Sequence, residues 1–453
     1  MNEKPMLAPD SRFTYSIDTL KQITQDILTQ AGKAGATACE AEVSQGFGQT
    51  VSVRRSIVET IEYSRGKGLG VTVYFGRQRG HASTSDLSSK AVLDTVEAAL
   101  SIARYTAKDE FAGLPDESLL AKDIPDLGLH YPWDLSVEKA IDLGRQCEEA
   151  AMRVDERINN SEGASISTHE SLFVYGNSLG FLAGYPSSRH DVSCAVIAED
   201  DTGMQRDYWY ESKRDAADLG GVDAVGRRAG ERTVRRLEAR KIDTTECPIL
   251  FEAPVAAGLI GHFVGAISGS SLYRKSSFLL DSLGKPVFAP LVNIRELPHV
   301  LKGLGSSPFD NEGVATRVRD LVKDGVLQGY MLGSYSARKL GMTSTGNAGG
   351  NHNLIIETTG QDFAELLKLM GSGMVVTELL GHGVNSVTGD YSRGAAGYWV
   401  ENGEIAFPVE EVTVAGNLAQ MYQNIIAIGN DVLVQGSKQC GSILVGKMTV
   451  AGN

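Results

Sequence analysis

The order of the predicted elements is the strongest constraint on this fold. Residues 16–35 carry an apolar residue every three or four positions and predict an amphipathic helix. Alternating apolar and polar runs follow, interrupted by glycines, before a second helical pattern at 88–105. The same order then returns as a helix at 136–154, strand-like runs over 160–212 and a helix at about 214–239. We interpret this as a helix–antiparallel meander–helix unit that occurs twice.

A parallel, doubly wound sheet is excluded by this order, because it would need a helix between successive strands. The glycine cluster at 66–70 lacks the strand-then-helix setting of a dinucleotide site, and it predicts a hairpin turn. The duplicated meanders would also have edge strands, through which the chain alone could pair with a second copy.

A third region begins near residue 244 and is rich in short strand-like runs. It also contains an apolar helix at 253–267 and a helix at 361–371. Its spacing of strands and glycines predicts a barrel-like or sandwich-like domain. The predicted fold class is therefore α+β, with a first N-terminal unit at 15–110, a second at 111–240 and a strand-rich C-terminal domain at 241–453.

Charge and cysteine content limit the partners and the compartment. Lysine and arginine number 43 against 56 acidic residues, which gives a net charge of −13. Such a chain is repelled by phosphate backbones, so we expect no nucleic-acid partner. The most apolar window, 254–268, is too short and too rich in glycine to span a bilayer, so we expect no membrane contact. Five cysteines without a CxxC pair favour reduced thiols in the cytoplasm.

The apolar segment 257–266 is notable for the metal ligands that it lacks. A catalytic zinc takes three protein ligands and a water, usually beside a carboxylate that acts as general base. Of these ten side chains only that of His262 could bind a metal. Glycine and alanine offer no lone pair, so Gly261 and Ala266 cannot complete a site.

Together with the glycine-interrupted run 388–404, this segment resembles the PmbA (TldE) branch of the TldD/PmbA family. The segments 272–281 and 334–341 are similar to the same branch. The family is associated with a cytoplasmic bacterial zinc protease built from two related subunits. In its TldD subunit the corresponding helix carries His-Glu-x-x-x-His, and a cysteine near the C terminus looks like the third zinc ligand. Gly261, His262, Ala266 and Cys440 stand at the matching positions here.

The resemblance implies a subunit without catalytic residues of its own. A TldD-type partner would supply the zinc, the water and the general base, and this chain would bind no cofactor. His262 and Cys440 are its only weak metal candidates, since two ligands hold a metal poorly. The substrates implied are unfolded or small peptides, with roles in peptide maturation, such as that of a microcin precursor, and in antitoxin degradation.

Two segments contain candidate residues for contact with a peptide or a partner subunit. Asn351 and His352 lie in the glycine- and asparagine-rich loop 346–353, which could pair with an extended peptide or simply be tied by its asparagine side chains. Asp390, Tyr391 and Arg393 belong to the run 388–404, where a role at a domain junction is as well supported as contact with a substrate.

Two other functions remain open at this point. The chain could be a metallopeptidase in its own right, with an unconventional site of His262, Cys440 and another histidine. It could instead be a regulatory binding protein directed at DNA gyrase, as the family's older label of gyrase modulator suggests. Zinc content would distinguish the first alternative, and binding to gyrase without proteolysis would distinguish the second.

Overall fold

The computed structural model describes residues 12–452 and begins with two units of similar construction. The elements of this N-terminal region are α1 (Ile17–Lys33), β1 (Ala38–Arg54), β2 (Ile57–Phe75), β3 (Gln78–Thr84), α2 (Ser89–Tyr105), α3 (Val137–Met152), β4 (Ile158–Asn177), β5 (Leu182–Asp200), β6 (Gly203–Lys213) and α4 (Val222–Val234). The predicted repeat of helix, meander and helix is confirmed.

The two meanders are joined into one antiparallel sheet. Its strand order is β3-β2-β1-β4-β5-β6, so the first strand of each unit lies at the centre and the units extend in opposite directions. Helices α1 and α2 cover the apolar residues of the first unit, and α3 and α4 cover those of the second. Each half of the sheet therefore has its own core.

Serine residues start three of these helices. The hydroxyl oxygens of Ser16, Ser88 and Ser136 accept hydrogen bonds from the backbone N–H three residues further on. Such a cap satisfies one of the N–H groups that the first helical turn leaves without a partner.

The strands of the sheet are longer than the sequence pattern predicts. Gly66 and Gly68 lie inside the 19-residue β2, where Gly66 pairs with Gly46 of β1. The prediction of a hairpin turn at 66–70 is therefore wrong. Glycine here relieves crowding between strands: a Cβ on Gly48 would lie 2.7 Å from the Nδ1 atom of His169 on β4.

The turn between β1 and β2 lies instead at Arg55 and Ser56. Both residues have positive φ angles, of 51° and 61°, which is the geometry of a tight hairpin with the right-handed twist of its strands. Their N–H groups donate to the carboxylate of the buried Glu148 on α3, at 2.8 Å each. A side chain distant in sequence thus stabilises a turn that lacks the usual glycine.

The C-terminal region contains two further sheets. Its elements are β7 (Thr245–Phe251), α5 (Ala253–Ala266), α6 (Gly269–Tyr273), β8 (Ile294–Leu297), β9 (Arg319–Lys323), β10 (Val326–Leu327), α7 (Ser334–Lys339), β11 (Asn353–Ile356), α8 (Phe363–Met370), β12 (Gly373–Leu380), β13 (Asp390–Glu401), β14 (Glu404–Asn417), α9 (Leu418–Gln423), β15 (Ile425–Ile428), β16 (Lys438–Gln439) and β17 (Ile443–Ala451).

One of these sheets closes into a barrel. Its order is β14-β13-β12-β7-β17-β15, and an additional pairing of β14 with β17 joins the ends of a five-stranded ring. The other sheet has the order β10-β9-β8-β11-β16 and stays open. The α+β class and the barrel-like C-terminal region are confirmed. Among residues 12–452, no helix combines the length and the apolar character that crossing a bilayer requires.

Candidate functional site

Helix α5 has one buried face and one open face. Leu259, Ile260 and Phe263 are fully buried in the largest hydrophobic core of the molecule. On the opposite side, Gly258 and Gly265 are exposed, and a Cβ added to either would meet no atom within 4 Å. Gly261 and His262 complete this open face, because positions three, four and seven residues apart share one side of a helix.

Contacts from both C-terminal sheets fix the position of α5. The backbone N–H of Ala253, at the start of the helix, donates to the buried Ser442 hydroxyl at 3.0 Å. The Tyr422 hydroxyl donates to the Leu259 carbonyl oxygen at 2.8 Å, within the core. Strands β12 and β16 both pack against α5, so the open face is bordered by one strand from each sheet.

The three positions that match the metal-binding pattern point in different directions. His262 is half-buried on the open face and packs edge-on against Tyr391, with ring centroids 6.0 Å apart. Ala266 is 2% exposed and belongs to the core. Gly261 faces the side chain of Lys438, whose Cε lies 3.8 Å from a Cβ built on the glycine.

Cys440 has the environment of a buried structural thiol. It is 1% exposed, and its Sγ donates to the Gly441 carbonyl oxygen at 3.1 Å. Burial, and secondly the charge of Asp431, raise the pKa of this thiol well above its usual range, which disfavours the thiolate that metals bind. Between residues 12 and 452, no group of three or more His, Cys, Asp or Glu side chains could hold a metal ion. The donor set around α5 does not fit a catalytic zinc.

Protonation of His262 is disfavoured by its surroundings. Burial is the larger cause of its lowered pKa, and the nearby positive charge of Arg393 adds to the effect. A neutral ring that packs against Tyr391 is consistent with both causes. Burial also raises the pKa of Tyr391 to about 12, an increase that Arg393 partly offsets.

Arg393 is a cation without an acidic partner in the described chain. Its guanidinium donates to the Leu379 carbonyl oxygen at 3.2 Å, while its buried Nε has no acceptor among residues 12–452. Asp390, by contrast, is exposed at the start of β13, where its carboxylate accepts hydrogen bonds from Thr388 and Asn417. The structure thus places Tyr391 and Arg393 beside α5 and gives Asp390 local partners instead.

The loop 346–353 is held by hydrogen bonds of its own. His352 is buried, and its ring nitrogen lies 2.9 Å from the Gly346 carbonyl oxygen. Asn351 is partly exposed and donates to the Ser437 hydroxyl at 3.1 Å, next to Lys438 in the chain. Asn351 is therefore adjacent to the segment that borders α5, while His352 supports the loop from inside.

Sequence reasoning missed Lys438, although its side chain covers the open face most directly. The lysine is half-buried, and burial lowers its pKa. Its ammonium makes no ion pair or hydrogen bond with any residue of the described range. The sequence gives no signal for this position, because the lysine and α5 are separated by more than 170 residues of chain.

A cavity of about 250 Å³ lies beside the open face, between the second N-terminal unit and the C-terminal domain. Gly258 and Arg393 line it, together with an aromatic wall from β6 that includes Tyr208, Trp209 and Tyr210. Its carboxylates are all paired with arginines of α4 and the residues that follow it. These pairs are Asp207 with Arg232 and Arg236, and Glu378 with Arg236. Glu252, just before α5 and outside the cavity lining, also pairs with Arg232.

A larger cavity, of about 570 Å³, lies between the first N-terminal unit and the C-terminal domain. Glu40 of β1 accepts hydrogen bonds from the hydroxyls of Tyr74 and Tyr175, both at 2.8 Å. Glu312 lies on the opposite side and accepts a backbone N–H from Ser334 at 2.8 Å. Neither carboxylate has a basic partner within ion-pair distance in the described chain. Burial is the main cause of the raised pKa of Glu40, and Glu312 adds to it.

Family models match most of the chain. The PmbA/TldA metallopeptidase domain 1 matches residues 39–103, the central domain 130–237 and the C-terminal domain 244–452. The metalloprotease PmbA of Escherichia coli O157:H7 is 49% identical over 439 residues, which cover 96% of this chain and 98% of that protein.

Two solved structures have the same fold. A protein of Bacteroides thetaiotaomicron, described as a proposed modulator of DNA gyrase, is 29% identical with a TM-score of 0.90 over 96% of this chain and 99% of its own. TldE of Thermococcus kodakarensis superposes with a TM-score of 0.80 at 18% identity, over 95% of this chain and 100% of its own. With the family models and the close sequence relative, these likenesses show that the chain belongs to the PmbA/TldD (PmbA/TldA) metallopeptidase family.

Proposed function

We propose that the chain is the subunit without a catalytic metal in a two-chain PmbA/TldD zinc protease of the cytoplasm. In this proposal a TldD-type subunit supplies the zinc, the attacking water and the general base. This chain supplies part of the enclosing cavity and the contact between subunits. The substrates are unfolded or small peptides, as in the maturation of a microcin precursor or the degradation of an antitoxin.

The observation that carries the proposal is the composition of the open face of α5. A hydrolytic zinc needs three donors that converge on one point. The face instead presents three glycines and His262, and Cys440 is a buried thiol with a raised pKa. Membership of a metallopeptidase family with such a face supports a division of labour between two subunits.

Zinc content and peptide cleavage test the proposal together. We expect the pure chain to contain no stoichiometric zinc and to leave an unfolded peptide intact. Cleavage should appear only after a TldD-type subunit is added, with zinc in proportion to that subunit. One zinc per chain and cleavage by the chain alone would refute the proposal.

The same assay decides whether the chain is a metallopeptidase in its own right. An unconventional site would lose its zinc in His262→Ala and in Cys440→Ser. In our proposal neither variant changes the zinc content of the two-chain mixture. His169→Ala is the matched control, because this histidine is exposed on β4 of the N-terminal sheet, outside the region that contains α5.

The gyrase-directed alternative is favoured by the description of the Bacteroides thetaiotaomicron protein. It requires stable binding of gyrase by this chain without a second subunit and without cleavage. Calorimetric titration of purified gyrase with the chain measures this directly. Binding under those conditions, combined with inactivity of the two-chain mixture, would favour the regulatory function.

A further inference from the structure

The open face of α5 has basic groups on both sides. Lys438 of β16 covers Gly261 on one side, while Arg393 of β13 lies near His262 on the other. Gly258, on the same face, lines the 250 Å³ cavity together with Arg393, next to the aromatic wall of β6. The space in front of the helix is therefore bordered by two cations and one imidazole.

The acids around this space are already neutralised. Glu252 and Asp207 contact Arg232 at 2.8 and 3.3 Å, and Glu378 contacts Arg236 at 2.6 Å. No acid lies within ion-pair distance of Lys438 or Arg393 in residues 12–452. The excess of positive charge is local, since the whole chain has a net charge of −13.

An unpaired cation in a half-buried position is costly, because burial removes water without supplying a counter-charge. The buried Nε of Arg393 has no acceptor, and the Lys438 ammonium is surrounded by no compensating carboxylate. An anionic ligand would supply the missing acceptors. Charge-assisted hydrogen bonds to lysine and arginine are among the stronger ones in proteins.

The glycines determine the shape that such a ligand can have. Without Cβ atoms at Gly258, Gly261 and Gly265, an extended main chain can approach the helix closely. The adjacent tyrosine and tryptophan side chains suit a chain with apolar or aromatic groups. A free inorganic anion could contact the two cations, but it would be too small to extend along the open face.

We infer that the open face of α5, between Lys438 and Arg393, binds a carboxylate group of a peptide. The inference rests on the proposed function, because a peptide substrate provides the ligand. The carboxylate comes either from the C terminus of the peptide or from an aspartate or glutamate side chain. Lys438 and Arg393 are its binding residues, and His262, which is close enough to Arg393 to feel its charge, is a reporter of occupancy.

Three synthetic peptides separate these sources when each is titrated into the full chain by calorimetry. The first is an alanine-rich hexapeptide with a free C terminus, the second is its C-terminal amide, and the third is the amide with one glutamate. We expect the first, the third or both to bind at least tenfold more tightly than the second. Equal affinities for all three peptides would overturn the inference, whatever the variants do.

Lys438→Met and Arg393→Met should each reduce this preference at least fivefold, and Lys447→Met should leave it unchanged. Lys447 is a suitable control because it is exposed and paired with Glu246. Thermal melting of each variant establishes that it is folded. A preference that survives both substitutions would locate the carboxylate elsewhere and refute the assignment.

Nuclear magnetic resonance of His262 provides an independent readout. A bound carboxylate should raise the pKa of this histidine, because it counteracts the positive charge of Arg393. The amide peptide should leave that pKa unchanged. These measurements use the chain alone and no zinc, so inactivity of the two-chain mixture would count against the proposed function without affecting the carboxylate preference.

Discussion

The two N-terminal units contact the C-terminal domain through junctions of opposite charge. At the acidic junction (Glu40, Tyr74, Tyr175 and Glu312), Glu40 is held by tyrosine hydroxyls and Glu312 by the backbone N–H of Ser334. Arg77 and Arg79 line the same cavity, but among the described residues no base lies within ion-pair distance of either carboxylate. At the basic junction and the adjoining open face of α5 (Arg232, Glu252, Arg393 and Lys438), the acids are paired, and two cations have no acidic partner among the described residues. The two units of a duplicated architecture thus meet the C-terminal domain through chemically different contacts.

Protonation differs between the junctions as well. Burial raises the pKa of Glu40, so the folded acidic junction favours proton uptake. Burial lowers the pKa of Lys438, so the basic junction favours proton loss. In both places burial shifts the protonation equilibrium towards the uncharged form, and an opposite charge from a ligand or partner would shift it back.

The largest effect is expected from breaking the ion pairs of the basic junction. Arg232→Met leaves Glu252 without its partner, and both side chains are mostly buried, at 11% and 17% exposure. Loss of one member of a buried pair typically costs about 3–5 kcal/mol of unfolding free energy. Chemical denaturation measures the change.

The control for this substitution is Arg153→Met, in an exposed pair with Glu149. Such surface pairs contribute less than about 1 kcal/mol. Equal losses for the two variants would mean that the arginine network does not hold the second unit against the C-terminal domain.

A smaller, pH-dependent effect is expected at the acidic junction. Tyr175→Phe removes one hydroxyl donor from Glu40 and should cost about 1.5–3 kcal/mol when the carboxylate is ionised, as for other hydrogen bonds to charged groups. Because the native pKa of Glu40 is raised, its contribution to stability is complete below its ordinary pKa of 4.5. The contribution is lost as the pH rises through the native pKa. Removing a donor raises that pKa further, so the loss should be greater at pH 8 than at pH 5.

Tyr335→Phe is the matched control for this pH dependence. Its hydroxyl donates to Asp109, whose pKa is lowered, chiefly by a backbone hydrogen bond. A lowered pKa gives a contribution that is complete above the ordinary value of 3.8, so this variant should lose the same stability at pH 5 and pH 8. Chemical denaturation of both variants at pH 5 and pH 8 measures the difference. The comparison would be contradicted if the loss of stability in Tyr175→Phe were also independent of pH.

The sequence predicted the elements better than their contacts. Helix α5 was expected at 253–267 and spans Ala253–Ala266, because its apolar periodicity is local. The strands were predicted as short runs because glycines such as Gly66 are typical of turns. In the structure, pairing of Gly66 with Gly46 keeps the chain extended. That pairing depends on a neighbouring strand, which a local pattern does not describe.

The site shows the same limit. Gly261 and His262 were identified from the sequence, and they do lie on one open face. Lys438 was missed because only the packing of β16 against α5 brings it there. The glycines around His352 suggested contact with a peptide. In the structure its side chain is buried and hydrogen-bonded to Gly346, a contact that the sequence does not indicate. Its role in binding stays a prediction.

The smallest effect is expected at a glycine on the open face of α5, and a closely packed glycine of α4 provides the contrast. Gly258→Ala in α5 should increase stability by about 0.5–1 kcal/mol, because alanine favours the helix and its Cβ meets no atom within 4 Å. Gly226→Ala in α4 should instead destabilise the protein, since its Cβ would lie 1.9 Å from the Cys147 carbonyl oxygen of α3. Thermal and urea unfolding measure the stability of the two variants, and so compare a packed helix face with an open one. A loss of stability in Gly258→Ala would show that the α5 face is filled in solution, and the carboxylate would then have no space in front of the helix.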